Sequence, residues 1–234
     1  MSNYCKCEKS HYNNCMTEID NLEERKIRVK EIIKRLAKLY PHPKSALIHN
    51  NPWQLLVATI LSGQTTDKLV NTVTPALFKQ YKTVKDFADA PVEEIDALIK
   101  KVNFHNNKAK NIKTSAQIIV EKYHEEVPQT MEELDALPGV ARKTANVVLS
   151  DAFHKPAGIV VDTHVIRLAN KLGLTTHKDP VKIEKDLMEI VPKDQWQYFG
   201  HYLVYFGREY CPARPHKCED CPLNELCPDK IELG

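Results

Sequence analysis

Glycine is scarce in this chain, with 7 among 234 residues, and few segments alternate apolar and polar residues as strands do. Apolar residues instead recur at helical spacing along most of the chain from Leu22 to Tyr210. Hydrophobic residues make up 42% of the composition, which suffices for one large or two small domains. No internal repeat is visible beyond the helices themselves. The sequence therefore predicts a globular, all-α protein.

Long apolar runs are also missing. The longest, around Leu55 to Leu61, is far too short to span a membrane. The chain does not open on a basic segment followed by an apolar one, as a signal peptide does. We therefore expect no membrane partner and an intracellular protein, in the cytoplasm or nucleoid if its source is prokaryotic. In that environment cysteines serve as ligands or free thiols rather than as disulfides.

Charge is nearly balanced at +2, so its distribution says more than its total. A helix predicted over Lys108 to Tyr123 has a group of lysines around its start, and acids dominate the segment from Glu121 to Asp135. A solvated surface is the usual meaning of either group. Separation of the two signs, however, favours a polyanion on the basic side. The lysines are Lys100, Lys101, Lys108, Lys110 and Lys113.

A helix, a tight hairpin and a second helix are predicted from Met131 to Phe153. Pro138 and Gly139 break the first helix. The hairpin exposes backbone N–H groups at a helix N-terminus, which is a site that binds phosphate. Arg142 and Lys143 lie in the first turn, where cations are unfavourable for the helix, and a broken local rule points to function. The alternative is an ordinary joint with solvated basic residues.

Four cysteines near the end of the chain follow the spacing C-x6-C-x2-C-x5-C, and they are Cys211, Cys218, Cys221 and Cys227. Thiolates at such spacing indicate a multivalent metal centre. Zinc is the general alternative, although zinc modules usually have two close cysteine pairs and this segment has one. The loop after the first cysteine carries Arg214 and Lys217, which we expect to contact phosphate groups.

The segment Met1 to Asn21 is polar and predicts a disordered tail. It carries Cys5, Cys7 and Cys15. The Cys-x-Cys pair is compatible with a metal site, but no second close pair accompanies it.

The stretch Leu-Pro-Gly-Val-Ala-Arg-Lys-Thr-Ala and the cysteine spacing resemble the helix-hairpin-helix DNA glycosylases, most closely the endonuclease III family. The resemblance covers about Leu22 to Leu233. That family has glycine where this chain has Ala141, and we expect the alanine to be tolerated because Gly139 remains. The cysteine spacing is that of the family's 4Fe-4S cluster, which the resemblance favours over zinc.

The resemblance implies a two-domain helix-hairpin-helix DNA glycosylase fold. A six-helix barrel would span 45–155, and a 4Fe-4S cluster domain would combine 22–44 with 156–234. The expected partner is double-stranded DNA containing damaged bases or abasic sites, bound by a monomer. The hairpin residues that would contact DNA are Leu137, Gly139, Ala141 and Arg142.

Lys143 matches the family's nucleophilic lysine, whose neutral amine attacks the sugar carbon C1′ to form a Schiff base. The alternative is a lysine that only binds phosphate. Asp162 matches the catalytic aspartate, which stabilises an oxocarbenium-like sugar. The alternative is a simple helix N-cap, and the two roles are compatible.

Extrusion of a base leaves a hole in the duplex, which this family fills with side chains. Gln64 matches the gap-filling glutamine. Phe104 stands where the family usually has leucine, and His105 follows it; an aromatic wedge can still stack between bases. The alternative for Phe104 is a partly buried core residue. Asp67 and His164 are candidate residues of the base pocket.

Three functions are compatible with these residues. The first is a bifunctional DNA glycosylase and AP lyase that acts on oxidised pyrimidines. The second is a monofunctional mismatch glycosylase of the same fold, whose members generally lack the lysine. The third is a non-catalytic iron–sulfur protein that binds DNA or signals redox state, for which neither Lys143 nor Asp162 is needed.

Overall fold

The computed structural model describes residues 22–214, 216 and 218–228. Within them lie eleven α-helices, two short 3-10 helices (Lys193–Gln195 and Asn224–Leu226) and no strand. The all-α prediction is therefore confirmed, whereas the tail expected over 1–21 lies outside the described residues. The α-helices are α1 (Leu22–Leu39), α2 (Pro52–Ser62), α3 (Asp67–Gln80), α4 (Val84–Asp89), α5 (Val92–Leu98), α6 (His105–Tyr123), α7 (Met131–Asp135), α8 (Arg142–Phe153), α9 (Thr163–Lys171), α10 (Pro180–Ile190) and α11 (Trp196–Glu209).

The chain divides into two compact units, and each has its own apolar core. One unit is Ser45–Ala157 and contains α2 to α8. The other combines residues 22–44 with the described residues from Gly158 onward and contains α1 and α9 to α11. Among the described helices, none is both long and apolar enough to span a bilayer.

Helix α2 is the centre of the first unit. The Asn51 side chain accepts a hydrogen bond from Gln54 N, and Pro52 occupies the first turn, so the sequence itself defines where the helix begins. Every residue from Trp53 to Leu61 is buried. The prediction of a central helix that is apolar on nearly all sides is confirmed, and α3, α6 and α8 pack around it.

Two lysines of α6 bind the C-terminal ends of neighbouring helices. Lys108 Nζ donates to Leu61 O at 2.7 Å and to Gly63 O at 2.5 Å, at the end of α2. Lys113 Nζ donates to the carbonyl oxygens of Ala88 at 3.0 Å and Ala90 at 2.5 Å, at the end of α4. A cation is favourable there because the last carbonyls of a helix lack partners and carry partial negative charge.

The prediction that Lys108 and Lys113 belong to a basic surface for a polyanion is therefore wrong, because both ammonium groups bind backbone carbonyls. Lys108 is buried, and burial lowers the pKa of its ammonium below the ordinary value. Lys100, Lys101 and Lys110 are exposed, and their contact with a polyanion stays a prediction.

In the second unit, α1 packs against α10 and α11 through Val29, Ile32 and Leu36. Arginines on α1 connect it to the C-terminal part of the chain. Arg28 Nη1 donates to Gly173 O at 3.3 Å, just beyond the end of α9. Arg35 Nη1 donates to Pro222 O at 3.0 Å, between the cysteines. Helix α1 therefore supports the segment that carries the thiols.

Candidate functional site

The hairpin between α7 and α8 is built around a glycine that no other residue can replace without strain. Gly139 has φ +77, a conformation that favours glycine. A Cβ at this position would lie 2.7 Å from Asn111 Nδ2, so the space is also missing. The turn is closed by Val140 N, which donates to Leu137 O at 3.1 Å. Ser115 Oγ holds it from α6 by donating to Pro138 O at 3.0 Å.

Ala141, where the family has glycine, adopts ordinary extended backbone with φ −92 and ψ 164. The Cβ of Ala141 therefore causes no backbone strain, and its tolerance toward an approaching phosphate stays a prediction. It is the N-cap of α8, and no side chain of the described residues caps this terminus. The backbone N–H groups of the first turn have no partner within the helix. Leu137 is 2% exposed, so this expected contact can offer its backbone but not its side chain.

Arg142 and Lys143 occupy the first two positions of α8, and both are exposed. Helix α8 packs against α2 and α7 through its other face, where Ala145, Val148 and Leu149 are buried. The amine of Lys143 is therefore accessible beside the open N-terminus. This arrangement suits both a nucleophile and a phosphate-binding lysine.

Asp162 is the N-cap of α9, which was the alternative role given for it from the sequence. Its Oδ1 accepts a hydrogen bond from Val165 N at 2.9 Å. Val161, which precedes the cap, and Val165, which donates to it, are buried and fix the capping position. The cap occupies one carboxylate oxygen, so it also holds the second at a defined place.

The two candidate pocket residues lie at the starts of α3 and α9. Thr66, rather than Asp67, caps α3 by accepting from Leu69 N at 3.3 Å. His164 is half-buried, and its Nδ1 has no hydrogen-bond partner among the described residues. That ring lies against α11, because a Cβ on Gly207 would be 2.9 Å from Nδ1. Base-pocket roles for both residues stay predictions.

Gln64 and Phe104, the candidate wedge residues, share an uncommon backbone conformation. Both lie in the left-handed region, with φ 55 and φ 57, which non-glycine residues seldom adopt. Both are exposed, and the Phe104 side chain is 62% exposed. The alternative that Phe104 belongs to the core is therefore wrong. Asn103 Nδ2 joins the two segments by donating to Gln64 O at 2.6 Å.

His105 has a partner that the sequence did not predict. Its Nδ1 lies 2.6 Å from Asp96 Oδ1, on α5. When the Asn106 amide takes its favoured orientation, it donates to the same carboxylate at 2.8 Å. This contact ties the start of α6 to α5, so His105 supports the Phe104 segment. A DNA contact by His105 stays a prediction.

Turns and neighbouring helices hold the cysteine segment. Cys221 N donates to Cys218 O at 3.1 Å, and Cys227 N donates to Asn224 O at 3.3 Å. Arg167 Nη1 donates to Cys211 Sγ at 3.6 Å, and Cys227 Sγ donates to Lys171 O at 3.5 Å, both on α9.

The pKa of the Cys221 thiol depends on its burial and on nearby cysteines. Burial raises the pKa of the Cys221 thiol, and the charges of Cys211 and Cys218 raise it further, although a backbone hydrogen bond from Leu223 opposes them. In the described part of the chain, no set of three or more His, Cys, Asp or Glu side chains is arranged to hold a metal ion. The donor chemistry alone is compatible with a metal–sulfur centre, because four free cysteines lie in one short segment and the guanidinium of Arg167 binds the thiol of Cys211.

Of the loop residues expected to contact DNA, Arg214 is exposed and Lys217 lies outside the described residues. His216 Nδ1 lies 2.9 Å from Arg214 O and braces the loop.

Comparison with known proteins covers most of the chain. Residues 57–193 match the HhH-GPD superfamily of base excision DNA repair proteins. The endonuclease III of Synechocystis sp. is 51% identical over 88% of this chain and 94% of its own length. A solved non-covalent endonuclease III–DNA complex is 43% identical, with a TM-score of 0.81, and covers 87% of this chain and 95% of that one. A trapped endonuclease III–DNA covalent intermediate, the estranged-adenine complex, is 42% identical, with a TM-score of 0.80 and coverage of 87% and 96%. This chain therefore belongs to the endonuclease III family of base excision DNA repair proteins.

Proposed function

We propose that this chain is a bifunctional DNA glycosylase and AP lyase that removes oxidised pyrimidines from double-stranded DNA. It cleaves the abasic site by β-elimination, through a Schiff base on Lys143, and acts as a monomer. One observation carries the proposal: the exposed amine of Lys143 lies in the first turn of α8, directly after a glycine hairpin and at a helix N-terminus that no described side chain caps. Membership of the endonuclease III family and the resemblance to a trapped covalent intermediate support it.

The hairpin anchors the DNA backbone. The N–H groups in the first turn of α8, which have no partner within the helix, and the positive end of its dipole attract a phosphate oxygen, and exposed Arg142 adds positive charge. Contacts of this kind fix the register of the duplex without reading its sequence. A phosphate held at the N-terminus of α8 brings the adjoining sugar close to Lys143, because the lysine belongs to the same helical turn.

The chemistry uses the amine as a nucleophile. Neutral Nζ of Lys143 attacks C1′, the bond between C1′ and the base breaks, and the base takes the bonding electrons and then a proton. Nitrogen loses a proton, the bond between C1′ and O4′ breaks, O4′ takes the bonding electrons and that proton, and a protonated imine forms between C1′ and Nζ. A proton is then removed from C2′, and the 3′ phosphate departs with the electrons of its C–O bond.

Asp162 assists the departure of the base. Its negative charge stabilises the positive charge that develops on the sugar. The cap on α9 occupies Oδ1, so we assign this electrostatic role to Oδ2. Because the cap holds the Asp162 carboxylate before substrate binds, this carboxylate needs little reorganisation during the reaction.

Gln64 and Phe104 fill the space that the extruded nucleotide leaves. Both are exposed side chains on strained loops, which supports a role outside the core. The Phe104 ring can stack on a neighbouring base, and the Gln64 amide can bond to an unpaired base edge.

Borohydride reduction on a duplex with one abasic site tests the assignment. A glycosylase with lyase activity gives a stable covalent adduct and a cleaved strand. A monofunctional mismatch glycosylase gives neither, although it excises its own base. A DNA-binding or redox protein gives no excision at all. A panel of duplexes that each carry one oxidised pyrimidine then identifies the lesion, and a panel without excision would contradict the proposal.

We further propose that Cys211, Cys218, Cys221 and Cys227 bind a 4Fe-4S cluster. The cluster would supply binding energy that holds the C-terminal segment together. This chain's own residues brace the same segment, through Arg35 to Pro222 O and Arg167 to Cys211 Sγ. Exposed Arg214, in the first loop, would then face DNA phosphates from a rigid support.

The purified protein is expected to be yellow-brown and to contain about four irons per chain. Cys218→Ser should lower the iron content and make the C-terminal segment sensitive to limited proteolysis, while the unit Ser45–Ala157 resists. Cys15→Ser, the same substitution in the N-terminal segment, is the control and should keep the full iron content. Stoichiometric zinc without iron would contradict the assignment.

Lys108 and Lys110 are expected to behave oppositely although both belong to α6. Lys108→Met should lower the free energy of unfolding by about 1 to 3 kcal/mol, because it leaves carbonyls at the end of α2 without their donor. Lys110→Met, at an exposed position, should change stability by less than about 0.5 kcal/mol.

The same pair separates stability from DNA contact. Lys110→Met should reduce the slope of log K for duplex binding against log salt by about 1, because one phosphate contact is lost. Lys108→Met should leave that slope unchanged. Thermal unfolding and salt titrations of both variants measure the contrast, and equal slopes in Lys110→Met and wild type would place the DNA elsewhere.

A further inference from the structure

We infer that Asn103 and Lys108 are positioning residues that hold the Gln64 loop and the Phe104 segment in one arrangement before DNA binds. Neither residue touches the reacting atoms. The inference rests on the proposed function, because it concerns the side chains that would replace the extruded nucleotide.

Asn103 and Lys108 donate hydrogen bonds to the loop after α2 from outside it. Gly63 and Gln64 are exposed, and Gln64 is in the left-handed conformation. Within the loop, Thr65 N donates to Ser62 O at 2.9 Å. A strained, exposed residue keeps such a conformation only where its surroundings fix it.

Lys108 fixes the loop from α6. Its ammonium has three donors, and three acceptors of this loop surround it: Leu61 O at 2.7 Å, Gly63 O at 2.5 Å and Thr65 Oγ1 at 3.3 Å. The lysine is 8% exposed, so water competes little for these bonds. The charge makes each bond stronger than a neutral one.

Asn103 fixes the loop from the segment that precedes α6. Its Nδ2 donates to Gln64 O at 2.6 Å, so both carbonyls that flank Gln64, those of Gly63 and of Gln64 itself, are held. With both peptide planes fixed, the direction of the Cα–Cβ bond of Gln64 is fixed as well. Asn103 directly precedes Phe104, and therefore one hydrogen bond couples the positions of the two wedge residues.

The physical benefit is preorganisation. Ordering a loop during binding costs conformational entropy, and a loop that is already ordered does not incur that cost in the transition state for base extrusion. Asn103 and Lys108 should therefore matter for substrates whose base must be driven out of the stack. They should matter little where the nucleotide is already unpaired.

The first measurement uses the free protein. In Asn103→Ala and Lys108→Met, amide hydrogen exchange in the segment 62–69 should be about fivefold faster than in the wild type, because the loop opens more often. Asn107→Ala is the matched control, since Asn107 is an exposed asparagine in the first turn of α6, shortly after Asn103 in the chain. Unchanged exchange in Asn103→Ala would overturn the inference, whatever the catalytic activity of the chain.

The second measurement uses single-turnover excision on two duplexes that differ only in pairing of the lesion. Asn103→Ala should excise a paired lesion about tenfold more slowly than the wild type, which corresponds to the loss of one hydrogen bond to a constrained loop. On a duplex with the lesion in a bulge, its rate should be within about twofold of the wild type. Asn107→Ala should match the wild type on both.

The outcomes separate the inference from the proposed function. Equal losses on paired and bulged lesions would make Asn103 a merely structural residue and overturn the positioning role. A wild-type chain that excises neither lesion would contradict the proposed function, and hydrogen exchange would then decide the loop contacts alone. Lys108→Met gives a second variant for both measurements if Asn103→Ala fails to fold.

Discussion

Lys143→Gln is expected to abolish borohydride trapping and strand cleavage on duplex DNA. Glutamine keeps much of the side-chain length and its place in the first turn of α8, but an amide nitrogen cannot form an imine. The fold should be intact because Lys143 is exposed and the buried face of α8 is unchanged. The measurement is the yield of covalent adduct and of cleaved strand in a single turnover on a duplex with one abasic site.

Binding and a matched lysine serve as controls for this variant. Affinity for a duplex that carries an uncleavable abasic analogue should stay within about tenfold of the wild type, because one exposed charge is removed from several phosphate contacts. Lys122→Gln makes the same change on an exposed lysine in the last turn of α6 and should trap normally. If Lys143→Gln still forms the adduct, another amine is the nucleophile and the assignment of Lys143 is wrong.

Local patterns made the helices and the hairpin predictable. Pro138 and Gly139 interrupt helical spacing, and the structure places a left-handed glycine at that point. Asp162 was recognisable as a cap because aspartate before an apolar helical stripe is a common N-terminal signal. Signals of this kind involve neighbours in sequence, so they can be recognised without knowledge of the fold.

Roles that depend on tertiary contacts were not predictable. Lys108 reads as part of a basic surface, yet its ammonium caps a helix that lies far away in sequence. Helix α6 begins at His105 rather than at Lys108, since Phe104 turns the backbone through the left-handed region and Asp96 binds His105. A lysine that snorkels to solvent and one that caps a buried helix end have the same sequence signature. Only the packing of α6 against α2 distinguishes them.

The assignment of Asp162 depends on separating its two roles, and one substitution can do so. Asp162→Asn is expected to preserve the fold, since an asparagine oxygen can accept the bond from Val165 N as the carboxylate does. What it loses is the negative charge near the developing sugar cation. Groups with comparable stabilising roles are worth roughly 100- to 1,000-fold in rate. We therefore expect this variant to bind damaged duplex well and to excise the base very slowly.

The decisive comparison is between excision and lyase rates on the same duplex. Asp162→Asn should retain much of the lyase activity on a preformed abasic site, where departure of the base is already complete, whereas Lys143→Gln should lose both activities. Asp179→Asn is the matched control, because Asp179 caps α10 by accepting from Val181 N and Lys182 N and is exposed. It should cost as little stability as Asp162→Asn and excise at the wild-type rate. If Asp162→Asn also excises at that rate, the carboxylate is only a cap, and the charge that stabilises the sugar must come from another residue.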